Sequence, residues 1–289
     1  MGIAIAIKQI IGEQAFRSLR FYGYKVLHMV YRPFTVDQFR DFLSNELGIK
    51  KGDTLFIHSS VKKLNITFPA HQVIDILLDI TGPTGNLLFP CWHFNYRAQD
   101  YLENHENIFN VKRSPTVMGL LPEIARRIKG AQRSLHPTSS VVAIGPDASE
   151  LIKDHHLSEY PCGIQSPFYR ILDFKGKILG FGEKPETSLS FVHCVEDEMK
   201  DQFPILTRTE KVYSANVILQ TGQTIIVNTR AAHKNIIDRD IKGFFDKFIN
   251  ESECRTLKRK GTWFFVADSQ RLHSKLRSFA QQGKTIYNY

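Results

Sequence analysis

The sequence predicts an α/β fold, layered α/β/α around a central mixed, largely parallel sheet, with an appended α+β portion. Two observations indicate this. Short apolar runs alternate with amphipathic helical stretches up to about Pro204, and two β-rich runs joined by a Gln-Thr-Gly turn follow. Strands that alternate with helices favour parallel pairing in a layered fold. With 289 residues, 42% of them hydrophobic, the chain can bury a substantial core.

We expect an N-terminal amphipathic helical segment at 1–34, an α/β core at 35–204, and an α+β portion at 205–289 that completes the same domain. In the first segment, Lys8 interrupts the apolar run too early for a signal peptide or a transmembrane helix. A basic amphipathic helix either lies on an anionic membrane or packs on its own domain. Both readings stay open, and packing is favoured.

The core elements follow from periodicity and capping residues. Thr35 is an N-cap before an apolar stripe. Asn95–Asn110 has no clean period, which predicts a long functional loop or lid. The predicted strands are Thr54–His58, Asn86–Phe89, Val141–Ile144, Lys177–Phe181, Lys211–Leu219, Gln223–Thr229 and Gly261–Ala267. The predicted helices are Thr35–Leu47, His71–Ile80, one ending at Arg127, Asp147–Asp154, Phe168–Phe174, one starting near Thr187 or Ser188, Ile236–Phe248 and Ser269–Gln281.

The formal net charge of +9 favours anionic partners, such as phosphate-bearing cofactors, sugar nucleotides or a membrane surface. Nucleic acid is not expected, because no recognition motif occurs and the basic residues are dispersed. The four cysteines are widely spaced and form no CxxC pair, which predicts reduced thiols in a cytoplasmic protein.

Several common catalytic signatures are missing from the sequence. It contains no GxGxxG, no GxxxxGK[ST] and no GxSxG, which argues against classical dinucleotide, P-loop and α/β-hydrolase sites. His193 begins an HxxE without the following His of an inverted zinc-protease motif, so no metal is expected.

The strongest candidate site follows the predicted strand Lys177–Phe181. Ser190, His193 and Glu196 are three residues apart, which places a hydroxyl, an imidazole and a carboxylate on one face of a helix. A carboxylate beside an imidazole raises the imidazole pKa and fixes its orientation, which suits a general base. A solvated surface pair is the other interpretation of this spacing. Cys194 points away from that face and is interpreted as a core thiol.

Four predicted strand-end loops are rich in small hydroxyl residues: His58–Ser60, Pro90–Trp92, Ser114–Gly119 and His136–Ser140. Several precede helices, whose N-termini bind phosphate through free N–H groups. Each loop alone is typical of a cap or a turn. Their recurrence indicates a ligand site.

The ordered set of these segments resembles the aminoglycoside N3-acetyltransferase family, the coenzyme A-dependent antibiotic acetyltransferases. The resemblance runs from about Gly52 to Glu198 and rests on GDTLFIHSSVKKLN, GPTGNLLFP, SPTVMGLLPEIARR, RSLHPTSSVVAIGP, SPFYRIL, KILGFG and SLSFVHCVEDE.

This resemblance implies an N-acetyltransferase that moves an acyl group from acetyl-CoA to an amine of a sugar-like acceptor. It implies that His193, helped by Glu196, deprotonates the amine. Either backbone N–H groups or the Ser190 hydroxyl would then stabilise the oxyanion. It implies a substrate pocket that includes Trp92, and His136 either shapes this pocket or has a structural role. The residues implied in acetyl-CoA binding are His58, Ser59, Ser60, Val61, Ser114, Thr116, Val117, Met118 and Gly119.

The acceptor is where the sequence departs from an aminoglycoside site. Aminoglycosides are polycations, yet the chain is basic and has no dense acidic run beyond Glu196–Glu198. Electrostatics favour an anionic acceptor, such as a biosynthetic amino sugar on a nucleotide or lipid diphosphate. A true aminoglycoside 3-N-acetyltransferase conferring antibiotic resistance is the close rival. A non-catalytic glycan- or membrane-binding relative, a metal-dependent hydrolase, a homodimer and peripheral membrane contact through 1–34 also stay open.

Overall fold

The computed structural model describes residues 29–104, 107–236 and 238–288, together with Gly12, Gln14, Ala15, Ser18 and Tyr22. The amphipathic segment predicted at 1–34 therefore lies largely outside the described residues. Within them, no helix is long and apolar enough to cross a membrane.

Ten strands in the described part of the chain form two sheets. They are β1 (Thr54–Ser59), β2 (Asn86–Pro90), β3 (Ile108–Asn110), β4 (Gln132–Arg133), β5 (Val141–Ile144), β6 (Lys177–Phe181), β7 (Arg208–Ile218), β8 (Thr224–Ala232), β9 (Cys254–Arg259) and β10 (Thr262–Asp268). The central sheet has seven strands in the order β4-β5-β2-β1-β6-β10-β9. The predicted mixed sheet is confirmed; β1 pairs in parallel with β2 and β6, and the outer strands pair antiparallel.

The three central strands are apolar on both faces, as strands buried between two helical layers must be. Along β1, Leu55 and Ile57 join one core cluster, whereas Phe56 between them joins the other. This alternation follows from the two-residue period of side chains on a strand. The sheet is therefore a rigid platform with a packed core on each side.

Ten α-helices surround the sheets in the described residues. They are α1 (Val36–Asp41), α2 (His71–Thr81), α3 (Ala98–Asn104), α4 (Leu120–Ala125), α5 (Ala148–Ile152), α6 (Pro167–Arg170), α7 (Pro185–Ser188), α8 (His193–Met199), α9 (Ile241–Phe248) and α10 (Ser269–Gln281). Thr35 caps α1 as predicted, in a reciprocal capping box with Gln38. The predicted continuation of this helix to Leu47 is instead a π-helical turn, Phe42–Glu46.

The stretch Asn95–Asn110 is not the long loop or lid that its sequence predicts. It contains α3 and β3, and Phe109 on β3 pairs in parallel register with Val217 on β7. Tyr101 and Leu102 are 5% and 4% exposed because they pack on the inner face of the second sheet, β3-β7-β8. This packing partner lies about 110 residues later in the chain, so local periodicity does not reveal it.

The portion 205–289 contributes to both sheets. The predicted β7–β8 hairpin is confirmed and forms the second sheet with β3, whereas β9 and β10 extend the central sheet beside β6. The strand β9 was not expected from the sequence, because it is a partly buried edge strand that carries Arg255, Lys258 and Arg259. The predicted helix Ile236–Phe248 starts later, at Ile241, where the Asp240 side chain accepts a hydrogen bond from Gly243 N. The domain boundaries at 34 and 204 stay a prediction.

Candidate active site

A cavity of about 530 Å³ lies at the carboxyl ends of the parallel strands. His58 and Ser59 reach it from the end of β1, Trp92 from the loop after β2, and Glu183 from the loop after β6. The β7–β8 hairpin closes its far side. Open α/β sheets bind their ligands at this edge, because the strand-end loops converge there.

His193 and Glu196 form a hydrogen-bonded pair at the start of α8. The Nδ1 atom of His193 lies 2.9 Å from Glu196 Oε2, with the two residues one helical turn apart, as predicted. The His193 side chain is 14% exposed and lines the cavity, whereas Glu196 is 1% exposed and lies behind it. The carboxylate is thus shielded from solvent and can act on the cavity only through the imidazole.

Tyr287 completes the back of this pair. Its hydroxyl donates to Glu196 Oε1 at 2.7 Å, so both oxygens of the carboxylate are held. Burial raises the Glu196 pKa, but His193, Arg208 and the Tyr287 hydroxyl outweigh burial and keep that pKa below its usual value. Burial and the neighbouring carboxylate raise the Tyr287 pKa, so the hydroxyl keeps its proton. Glu196 is therefore ionised at neutral pH.

The contacts of His193 also assign its tautomer. Arg239 Nη1 lies 3.2 Å from His193 Nε2, and a guanidinium can only donate hydrogen bonds. Nε2 therefore carries the lone pair, and Nδ1 carries the proton that is donated to Glu196. This is the tautomer in which the nitrogen facing the cavity can accept a proton.

Ser190 lies outside the helix that carries His193, which corrects the prediction of one continuous helix. The chain forms α7, leaves helical conformation at Leu189 (φ −73°, ψ 79°), and turns through the 3-10 segment Ser190–Val192 before α8 begins. Leu189 is 2% exposed, so the break places its side chain in the core. Thr187 lies inside α7 and is not the N-cap. Ser190 still lines the cavity, and its buried hydroxyl has no hydrogen-bond partner among the described residues.

The other wall of the cavity contains five more of the predicted residues. They are His58, Ser59, Trp92, Val117 and Met118. His58 is 4% exposed, and burial lowers its pKa to about 3, so its ring is neutral. Within the described residues, His58 Nε2, Ser59 Oγ and Trp92 Nε1 are buried without a hydrogen-bond partner. Orphaned polar atoms of this kind are rare in folded proteins and mark places where a ligand or water completes the site.

Besides Glu196, six predicted residues do not line the cavity: Ser60, Val61, Ser114, Thr116, Gly119 and His136. Thr116 shapes the loop instead, since its hydroxyl donates to Trp92 O at 2.7 Å and accepts from Met118 N. The Ser114 carbonyl accepts from Arg133 Nη1 at 2.6 Å. The roles of the first five in binding acetyl-CoA stay predictions.

His136 is fully buried beneath this region. Its ring stacks on His155 with 4.7 Å between centroids, and burial together with that neighbour holds the His136 pKa well below its usual value. His155 in turn contacts Ser134 Oγ and Pro161 O. The pair packs as two neutral rings, which fits the structural role that the sequence left open for His136.

Three features of the site were not found from the sequence. Tyr287 is near the end of the chain, in a stretch without a motif. Arg208 on β7 donates to both oxygens of buried Asp197 on α8, at 2.6 and 2.8 Å, and so ties the hairpin to the helix. Arg239 belongs to the turn before α9. Each contact joins residues that are far apart in sequence or on different elements, so no local pattern signals it.

Cysteines and other metal-ligand side chains are distributed across the residues that the structure describes. All four cysteines are free, as predicted, and Cys194 is a fully buried core thiol whose pKa burial raises well above its usual value. In the part of the chain that the structure describes, no three His, Cys, Asp or Glu side chains are grouped to hold a metal ion.

The sequence matches the aminoglycoside 3-N-acetyltransferase family over residues 56–272. The chain belongs to this family. Among its curated members, aminoglycoside N(3)-acetyltransferase IX from Micromonospora chalcea is 30% identical over 189 residues, 58% of this chain and 66% of that protein. Aminoglycoside N(3)-acetyltransferase III from a Salmonella species is 31% identical over 163 residues, 52% and 56% of the two chains. The matched stretch thus spans less than two thirds of each relative.

Solved structures of family members share the fold over nearly the whole chain. Aminoglycoside acetyltransferase AAC(3)-Xa superposes with a TM-score of 0.74 at 23% identity, covering 94% of this chain and 99% of that one. The complex of AAC-IIIb with CoASH gives a TM-score of 0.70 at 21% identity, covering 87% and 98%. Sisomicin-bound AAC-VIa gives 0.70 at 23% identity, covering 86% and 98%. The predicted fold class is confirmed.

Proposed function

We propose that the protein is an acetyl-CoA-dependent N-acetyltransferase that acts on an amine of a sugar-like acceptor, with His193 as the general base. The observation that carries this proposal is the His193 tautomer. Its Nε2 lone pair faces a ligand-sized cavity while its Nδ1 proton is held by a buried carboxylate. That arrangement suits deprotonation of an amine, and relatives of the same family are named acetyltransferases.

The acceptor amine must lose a proton before it can react, and His193 removes it. A primary amine resembles a lysine, with a pKa of about 10.4, so at neutral pH it is largely an ammonium ion that cannot attack a carbonyl. Nε2 takes one proton from the ammonium ion, which frees the nitrogen lone pair to bond to the thioester carbonyl carbon. The carbon–sulfur bond then breaks, the proton on His193 passes to the departing thiolate, and the nitrogen releases its second proton to solvent as the amide forms. Glu196 stabilises the imidazolium in between, and Tyr287 keeps Glu196 in place.

The cavity fits the pantetheine arm of acetyl-CoA, which would supply the acyl group as a thioester. Its volume of about 530 Å³ lies within the range of ligand pockets. The unpartnered His58 Nε2, Ser59 Oγ and Trp92 Nε1 belong to side chains on this wall, where they can bond the amide groups of the arm. Ser190 would donate its free hydroxyl to the developing oxyanion. AAC-IIIb, which has the same fold, binds CoASH.

The charges around the cavity favour an anionic biosynthetic amino sugar as the acceptor. Its wall carries Arg97, Arg208, Arg230 and Arg239, and among the described residues Glu183 is the sole carboxylate on it. Glu183 pairs with Lys63 at 2.7 Å, and Arg208 and Arg230 also have carboxylate partners. The net positive charge on the wall therefore comes from Arg97 and Arg239. A polycationic drug would meet net positive charge here, whereas a nucleotide- or lipid-linked amino sugar would be attracted. Aminoglycoside 3-N-acetylation is the second candidate, and the names of the curated relatives favour it.

Release of the CoA thiol from acetyl-CoA tests the proposal with two acceptor panels, amino-sugar phosphates and nucleotides on one side and gentamicin-type aminoglycosides on the other. We expect turnover on the anionic panel, weakening as salt is raised, because exposed charges are screened. Efficient turnover on the drugs alone would support the second candidate. No thiol release with either panel, although acetyl-CoA binds, would contradict the proposed function.

A further inference from the structure

Arg239 covers the lone pair that the proposed reaction needs. Its Nη1 atom is 3.2 Å from His193 Nε2, on the side of the ring opposite Glu196. An amine that gives its proton to Nε2 must come within about 3 Å of the same atom. The guanidinium and the reacting amine therefore cannot occupy this position together, and Arg239 has to withdraw before the acceptor can react.

Nothing else in the described part of the chain holds Arg239 at the ring. Two of the other three arginines on the cavity wall are paired, Arg208 with Asp197 at 2.6 Å and Arg230 with Glu159 at 3.0 Å, and the third, Arg97, belongs to the loop before α3. Arg239 has no ion-pair partner among the described residues, and it is exposed to solvent. It is therefore a cation that is free to exchange a neutral imidazole for an anion.

An anion is a much better partner for a guanidinium than an imidazole nitrogen is. A carboxylate or phosphate takes two parallel hydrogen bonds from arginine and neutralises its charge. An acceptor with such a group near its amine would bind Arg239 through the anion and place the amine where the guanidinium had been. An amino sugar without an anionic group gains no such contact, so its binding does not compensate for the displacement of Arg239.

We propose that Arg239 is a specificity-determining residue that recognises an acidic group on the acceptor close to the reacting amine, a phosphate or carboxylate, and that binding this group uncovers His193. This inference rests on the proposed function and narrows its acceptor class to amino sugars with an anionic group adjacent to the amine. Arg239 acts through its position at His193 and takes no part in bond making.

The test compares two acceptors that differ by one group, glucosamine and glucosamine 1-phosphate, in which the phosphate is on the carbon next to the amine-bearing one. For the wild type we expect kcat/KM to be about tenfold to a hundredfold higher with the phosphate, the usual effect of one charge-assisted contact. In Arg239→Gln the ratio should fall to about one through a higher KM for the phosphorylated sugar, while kcat/KM for glucosamine is not reduced. Arg239→Lys should restore part of the preference for glucosamine 1-phosphate, since lysine keeps the positive charge but cannot donate two parallel hydrogen bonds.

Arg113→Gln is the matched control, because Arg113 is an exposed arginine that does not line the cavity. It should keep the wild-type ratio. If Arg239→Gln keeps the wild-type ratio of kcat/KM values, the inference is overturned. It is also overturned if Arg239→Gln raises the KM for acetyl-CoA and not the KM for the phosphorylated sugar, because Arg239 would then bind the CoA phosphates. A wild-type ratio near one would also overturn it while leaving the proposed function intact. Absence of turnover on any amine would overturn both.

Discussion

Tyr287 and Glu196 are 91 residues apart in sequence, yet the Tyr287 hydroxyl donates to Glu196 Oε1 at 2.7 Å. The other oxygen of the same carboxylate accepts from His193 Nδ1 at 2.9 Å. The last turn of the chain thus holds the acid that orients the candidate base. Tyr287, which does not line the cavity, thereby fixes the orientation of His193, which does.

This relationship predicts graded losses in turnover. Glu196→Gln removes the charge that stabilises the imidazolium, so kcat should fall by about 10²-fold or more. Tyr287→Phe removes one hydrogen bond to a charged group, so kcat should fall by about tenfold while the KM for acetyl-CoA is unchanged. Thiol-release kinetics across pH 6 to 9 measures both losses in kcat.

Tyr213→Phe is the matched control for Tyr287→Phe, because the Tyr213 hydroxyl also donates to a glutamate, Glu103, at 2.7 Å but away from the cavity. Equal kcat values for the two Tyr→Phe variants would contradict the account.

The Arg208–Asp197 pair predicts a large stability effect. Asp197 is fully buried and accepts from Cys162 N as well as from Arg208. Asp197→Ala leaves the Arg208 guanidinium, whose side chain is only 11% exposed, without its partner, so the free energy of unfolding in urea should drop by about 3–5 kcal/mol. Asp79→Asn, which breaks the exposed Arg40–Asp79 pair, should cost less than about 1 kcal/mol. If both variants lose a similar free energy of unfolding, the Arg208–Asp197 pair stabilises the fold no more than an exposed ion pair does.

The buried histidines predict a loss of stability in mild acid. Burial lowers the pKa of His58 and of His155 to about 3, below the unfolded value of about 6.5. Between these values the unfolded chain binds more protons than the folded one, so their stabilisation is present above pH 6.5 and is lost as pH falls towards 3. Each contributes a slope of at most about 1.4 kcal/mol per pH unit. Urea unfolding from pH 7 to 5 measures the slope, which His155→Gln should flatten. An unfolding free energy that does not change over this range would contradict the prediction.

Gly180 predicts a stability effect from close packing between strands. It lies on β6 directly opposite Phe265 on β10, and a Cβ at this position would meet the Phe265 ring at 2.0 Å. Gly180→Ala therefore forces the ring or the strand to move and should destabilise the protein by about 1–3 kcal/mol, the usual cost of overpacking. Gly283→Ala is the contrasting case, because no described atom lies within contact distance of its Cβ, although its φ of +78° adds backbone strain. A melting temperature unchanged in Gly180→Ala would show that the strand pair has more room than its geometry indicates.

Periodicity predicted the buried strands well, because a strand covered on both faces is a continuous apolar run. Lys177–Phe181 was predicted with its observed bounds, and the His193–Glu196 contact follows from helical spacing alone. Local patterns failed where distant packing decides the conformation. The stretch Asn95–Asn110 is ordered by the second sheet, and the helix before His193 breaks because Leu189 is drawn into the core.

The net charge of the chain does not indicate which basic residues line the cavity. The preference for anions stays a prediction, and the arginines on the cavity wall include Arg97, Arg230 and Arg239 from three separate segments. Only the fold brings them to one cavity. The fold alone likewise brings Tyr287 to Glu196, and no sequence motif indicates this contact.

The role of His193 as the general base is tested by kcat for thiol release from acetyl-CoA in the wild type and in His193→Ala, with acetyl-CoA affinity measured by calorimetry. If His193 is the base, kcat should fall by about 10²–10⁴-fold with a nearly unchanged affinity for acetyl-CoA. His71→Ala, which removes an exposed histidine at the start of α2, should match the wild type in both quantities. A His193→Ala variant that retains near-wild-type kcat on the same acceptor would show that His193 is not the base.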